Sequence, residues 1–187
     1  MERHSLLNDG WLDGTSVIHS PNFDARPIGI VPDLIVLHAI SLPPRQFGTD
    51  LVERLFTNRL EQGLTPYTDD LLEARVSAHF FIDRLGEVTQ FVSVTSRAWH
   101  AGVSAWEGRS ACNDFSIGIE LEGCDDLPFD GRQYISSALL IDNLVKNIPT
   151  CSWSSLVGHS DIAPLRKTDP GPYFSWEKLE REHSRLS

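Results

Sequence analysis

The chain has 187 residues, 41% of them hydrophobic and 22% charged, which suits one domain with a sizeable core and excludes a disordered or fibrous protein. Sixteen Lys and Arg against 26 Asp and Glu leave a formal charge of -10, which repels polyanions and excludes nucleic acid as an expected partner. The longest apolar run, Leu34 to Ile40, is interrupted by His38 and is too short to span a bilayer, so no membrane partner is expected either.

Residues 1–32 mix polarities around Pro21, Pro27 and Pro32 and read as an irregular N-terminal strap. Met1 to Gly10 lacks the apolar stretch and cleavage site of a secretory signal, and Cys112, Cys124 and Cys151 are odd in number without a CxxC pair. A cytoplasmic protein with reduced thiols is expected. Leu34–Ile40 has the continuous apolar character of a central strand covered on both faces, with His38 near its carboxyl end. Pro43 and Pro44 stop it, and Asp50-x-x-Glu53 resembles a capping box opening a short helix that buries Leu51, Leu55 and Phe56.

From Val76 to Asp83 the polarity alternates, and a turn at Asp83–Gly86 can return the chain as a second strand over Glu87–Val92. A long loop follows, roughly from Ser93 to Asp114, and it holds Trp99, His100, Trp106 and Arg109. Phe115–Glu122 alternates strictly, with Phe115, Ile117, Ile119 and Leu121 inward and Ser116, Gly118, Glu120 and Glu122 on the other face. Asp130-x-x-Gln133 can cap a helix with an apolar stripe of Tyr134, Ala138, Ile141, Val145 and Ile148, ended by Pro149. A short strand over Ser155–Val157 delivers His159, and a last helix begins at Ser175. Strands mingled with helices imply an α/β fold: a single domain over residues 1–187 with a central mixed β-sheet flanked by α-helices.

Catalytic zinc usually takes three protein ligands and keeps a fourth position for water, and His38, His159 and Asp169 fit that open arrangement. Taken singly, each has an ordinary reading: a packed or surface histidine, or an aspartate capping the turn before Pro170. Glu120, on a strand face of small residues, is the candidate base for a metal-bound water, unless it and Glu122 form a solvated face. Lys167 stands two residues before Asp169, where its ammonium could meet a developing oxyanion; the alternative is a surface salt bridge. Arg75, Arg97 and Arg109 could gather a small acidic ligand, although each taken alone reads as surface solvation.

Val36–His38, Arg75–Phe80, Arg97–Gly102, Asn113–Gly123 and Gly158–Pro172, in that order, resemble the zinc-dependent N-acetylmuramoyl-L-alanine amidases of type 2. Among them the similarity is to the branch that acts on anhydro-muramyl peptides in cytosolic cell-wall recycling. The resemblance implies one zinc per chain on His38, His159 and Asp169, with Glu120 and Lys167 in the catalytic roles. It implies a small-molecule muropeptide substrate, cut between the lactyl group of the anhydro-sugar and L-alanine. Tyr67, Arg75, Trp99, His100 and Asn113 are candidate substrate contacts by resemblance and by their place in loops; Trp99 could equally be a core aromatic, and His79 and His100 structural hydrogen-bonders. Ala78 and Asp169 stand where distant relatives carry tyrosine and often cysteine, which agrees with the recycling branch. Ala39 and Ala111 stand where nearer relatives carry asparagine and arginine. A monomer is expected. The competing readings are a muropeptide-recognition module of the same fold without catalysis, and a zinc peptidase, although no HExxH motif is present.

Overall fold

The structure, a computed structural model, describes Leu6 and residues 9–186. The reading of Met1 to Gly10 therefore falls mostly outside the described residues. In chain order the strands are β1 (Ser16–Val17), β2 (Phe23–Ala25), β3 (Leu34–Ile40), β4 (Phe80–Ile82), β5 (Val88–Gln90), β6 (Ser96–Ala98), β7 (Ala105–Trp106), β8 (Arg109–Ser110), β9 (Ser116–Glu122) and β10 (Leu156–Gly158). The helices are α1 (Leu51–Phe56), α2 (Pro66–Asp69), α3 (Gly131–Asn147), α4 (His159–Ile162) and α5 (Trp176–Ser184).

One mixed sheet runs β1-β5-β4-β9-β3-β10, with every neighbouring pair parallel except the β4–β5 hairpin. At its centre β3 and β9 pair over their whole length, so that Glu120 lies directly beside His38. The apolar run of β3 reflects burial from both sides. On one face Ile35, Leu37, Ile117, Ile119 and Leu121 pack against Tyr134, Ala138, Ile141 and Leu144 of α3 and Leu179 of α5. On the other, Leu34 and Val36 meet Ala101, Cys112, Phe115 and Ile162 from loops and α4. The mixed sheet with flanking helices is the expected architecture, and among the described residues no helix is long and apolar enough to cross a membrane.

The capping box of α3 forms as read, with the Asp130 side chain accepting from the first turn and Gln133 Oε1 accepting from the Asp130 N–H at 3.0 Å. Ser175 likewise caps α5 by accepting from the Lys178 N–H. At α1 the helix starts where expected, but Asp50 makes no cap: its carboxylate is taken by Arg54, four residues on, at 2.8 Å.

Two stretches are more ordered, and one less regular, than alternation suggested. The strap supplies β1 to the sheet edge, while β2 pairs antiparallel with β6, where Asp24 and Arg97 face each other and bond at 3.0 Å. The long loop contains β6 and the β7–β8 hairpin as well as a 3-10 turn at Cys112–Asp114. Conversely, the alternating stretch from Val76 shrinks to β4, because the Gly118 N–H donates to the His79 ring instead of to a neighbouring carbonyl. Arg26 ties strap to loop by donating to the carbonyls of Val94, Asn113, Asp114 and Ser116.

Candidate metal centre

Parallel strands bring their carboxyl ends to one edge of a sheet, which is where open α/β sheets bind ligands. Here β3 carries His38 to that edge, β9 carries Glu120, and β10 ends at Gly158, immediately before His159 opens α4. The loop after α4 then folds back on its own start. The Ser160 N–H donates to the Asp169 carbonyl at 2.9 Å, and the Gly158 N–H donates to Asp161 Oδ2 at 2.7 Å. A Cβ on Gly158 would lie 2.9 Å from Pro170 Cδ, so this closure needs glycine.

Closing the loop sets Asp169 beside both histidines. His38 Nδ1 lies 2.8 Å from His159 Nδ1 and 3.3 Å from Asp169 Oδ2, and His159 Nδ1 lies 3.0 Å from the same oxygen. His159 Nε2 faces the Ala101 carbonyl at 3.1 Å. A carbonyl only accepts, so Nε2 holds the proton and Nδ1 turns its lone pair toward the cluster. Convergent lone pairs at such spacings repel one another unless a cation sits among them. Tetrahedral zinc, with bonds of about 2.0–2.1 Å, separates its donors by about 3.3 Å, and two imidazoles with a carboxylate are a donor set it takes. The three residues fit zinc.

Burial pushes His38 down to about 4 although the Asp169 carboxylate pulls it upward, so the ring is neutral and able to ligate at neutral pH. Burial alone would raise Asp169, but its close contacts with the His159 and His38 rings outweigh it and hold the carboxyl well below the usual range. Glu120 moves the other way: burial, reinforced by Asp169 and opposed by Lys167, pushes it well above an ordinary carboxylate. Its Oε1 lies 4.0 Å from His38 Nδ1, and its buried Oε2 has no hydrogen-bond partner. Lys167 is exposed, yet its charge acts on both Glu120 and His38.

The structure thus gathers His38, Glu120, His159 and Asp169 in one place, with Lys167 exposed two residues before Asp169 on the same loop. The remaining candidates spread outward from it. His100 is buried, with Nδ1 2.9 Å from His38 Nε2, and Asn113 is buried with Oδ1 accepting from the His100 and Ala101 N–H groups at 3.1 and 2.8 Å. Trp99 is half-buried and bonded through its backbone to Ser77, while Tyr67 is 56% exposed on α2. Arg75 is exposed and turns onto the carbonyls of Leu72 and Ala74. Arg97 and Arg109 do not form a shared anion pocket: the first pairs with Asp24 and Asp114, the second with Asp33.

Two contributors were not legible as such in the sequence. Arg166 donates to the carbonyls of Ala101 (2.6 Å) and Val103 (2.8 and 3.1 Å), pinning the ligand loop to the segment after β6. At Gly118 the space a Cβ would fill is occupied by the His100 ring. A glycine inside an alternating strand is the signal for such a close approach.

The family model for N-acetylmuramoyl-L-alanine amidase matches residues 28–172. The chain is 46% identical over 178 residues to the 1,6-anhydro-N-acetylmuramyl-L-alanine amidase AmpD of Haemophilus influenzae, spanning 95% of this chain and 97% of that protein. A crystal structure of a selenomethionine derivative of AmpD superposes with a TM-score of 0.91 at 45% identity, covering 95% of this chain and 98% of that one. The amidase AmiD of Escherichia coli, solved with the substrate anhydro-N-acetylmuramic acid-L-Ala-D-gamma-Glu-L-Lys, superposes with a TM-score of 0.61 at 28% identity, over 84% of this chain and 60% of that one.

Proposed function

The chain belongs to the N-acetylmuramoyl-L-alanine amidase family, on its AmpD-type branch, and from that premise we propose that it hydrolyses anhydro-muropeptides in peptidoglycan recycling. The bond cut is the amide between the lactyl group of 1,6-anhydro-N-acetylmuramic acid and L-alanine of the stem peptide. The supporting observation is the convergence of His38 Nδ1, His159 Nδ1 and Asp169 Oδ2 beside an unpartnered Glu120 oxygen.

We assign zinc to those three residues; when bound, it supplies a Lewis acid that makes water a nucleophile at neutral pH and polarises the amide carbonyl. Glu120, whose Oε1 faces His38, takes a proton from the attacking water and returns it to the alanine nitrogen as the C–N bond breaks. The environment that raises its proton affinity suits both halves of that task. Lys167 presents its ammonium to the negative charge that grows on the carbonyl oxygen. The products are the sugar acid and the free peptide. Tyr67, Arg75 and Trp99 are assigned to the substrate, and Asn113 to holding the segment at His100 and Ala101 behind it.

Action in the cytosol as a monomer completes the proposal, supported for the compartment by three free cysteines, Cys112, Cys124 and Cys151. Mass spectrometry of a defined anhydro-muropeptide incubated with zinc-loaded protein tests the reaction. Sugar acid and intact peptide are expected, and a chelator should abolish them. Substrate bound but recovered whole would make the protein a recognition module, and cleavage between amino acids would make it a peptidase.

A further inference from the structure

We propose that His100 is a positioning residue: through a hydrogen-bond chain with only one allowed direction, it decides which nitrogen of His38 is free to hold the metal. The inference rests on the zinc reading of the site and deepens it.

The chain starts from a group that cannot donate. The Cys112 carbonyl lies 2.6 Å from Ser116 Oγ, so the single hydroxyl proton of Ser116 is used there. Ser116 Oγ also lies 3.2 Å from His100 Nε2, and with its proton spent it can only accept. His100 Nε2 therefore carries hydrogen. In a neutral ring, which burial favours, Nδ1 is then bare and accepts. It faces His38 Nε2 at 2.9 Å, so that nitrogen carries the proton and His38 Nδ1 is left with a lone pair directed at His159 and Asp169. Reversing any link would set two protons, or two lone pairs, face to face.

The fold holds this chain in place. The His100 ring sits in the space left by the absent side chain of Gly118 on the strand that also carries Ser116 and Glu120, and it meets the His38 ring edge-on at a centroid distance of 5.0 Å. Asn113 fixes the His100 backbone. With both ring nitrogens engaged inside the protein, His100 acts on His38 and not on the substrate. His159 needs no such intermediary, since the Ala101 carbonyl accepts from its Nε2–H directly. One ligand is set by backbone, the other by side chains that can be replaced.

His100→Phe keeps a ring and removes the acceptor; His100→Gln keeps an acceptor for the His38 proton. Zinc affinity, read by competition with a chromophoric chelator, should fall about 10–100-fold in the first and only a few-fold in the second, the range usual for partners that orient metal-bound histidines. Long-range proton–nitrogen NMR of the full chain, with and without zinc, should show His38 protonated at Nε2 in the wild type and mixed in His100→Phe. Ser116→Ala should loosen the same preference in part. A wild-type His38 protonated at Nδ1 overturns the proposal even if no variant folds. So does a folded His100→Phe with unchanged zinc affinity, whether or not its KM rises as for a substrate contact. Failure of the wild type to bind zinc would instead strike the metal assignment, while the NMR still reads the direction of the chain.

Discussion

The two halves of the candidate metal centre are built by different means: His38 and Glu120 stand on adjacent central strands, whereas His159, Lys167 and Asp169 stand on one loop and the short helix that opens it. In the strand half the spacing of the groups follows from sheet register, and moving one requires moving a ladder buried on both faces. The loop half depends on a handful of side-chain and backbone bonds: Ser160 to Asp169, Asp161 to Gly158, and Arg166 to the carbonyls of Ala101 and Val103. The difference predicts that substitutions in the loop half weaken metal binding without disturbing the sheet, and that replacing Glu120 removes the proposed base while the three candidate ligands stay in place.

The sharpest break between the halves is Glu120→Ala. Turnover of anhydro-muropeptide should drop by about 10^2 to 10^4 while zinc content after dialysis stays at one per chain; near-wild-type turnover would contradict the assigned base. Asp169→Ala should do the reverse to the metal, weakening zinc by at least the ~100-fold seen for lesser perturbations of ligand support. Metal analysis after dialysis measures it, and the thermal midpoint of the metal-free protein should hardly move, because the loop adds little to the sheet.

Acid should separate the halves next. Burial keeps His38 down at about 4, and burial with the neighbouring Arg26 guanidinium keeps His79 down at about 3, so the unfolded chain binds protons that the folded one refuses. Metal-free protein should therefore lose stability as pH falls from about 6.5 toward 4. Glu120, whose proton affinity is raised, contributes the opposite slope above its unfolded value, so Glu120→Gln should steepen the decline in urea titrations. Gly118→Ala should cost about 1–3 kcal/mol by forcing a methyl into the His100 ring, seen as a lower denaturant midpoint with unchanged slope. Arg166→Ala is the mildest: its exposed guanidinium should be worth about 1 kcal/mol or less to the fold, but limited proteolysis within residues 164–168 should accelerate.

Much of the frame was legible because it rests on local pattern. The β3 run, the alternation of β9 and the capping-box start of α3 all depend on neighbours a few residues away, and each formed where its signal lay, except that β9 begins at Ser116 and Phe115 packs on the opposite face from Ile117, Ile119 and Leu121. Asp50 shows the limit of that method: the same four-residue spacing admits a cap or an ion pair with Arg54, and only the folded geometry chooses. Polar segments held by long-range bonds gave weaker signals still. The strap looked irregular because Arg26 secures it through carbonyls some 70 to 90 residues away, which no periodicity announces.

From the amino-acid order alone come the architecture, which periodicity carries, and the ligand, base and lysine candidates, which the resemblance of their motifs to a known family singles out. The tertiary structure alone decided that the space at Gly118 belongs to His100, that Arg166 clamps the ligand loop, and that a Ser116–His100 chain stands behind His38. The reason is separation: His38 meets His100 across 62 residues and His159 across 121, and the direction of a hydrogen bond exists only once donor and acceptor have been brought face to face.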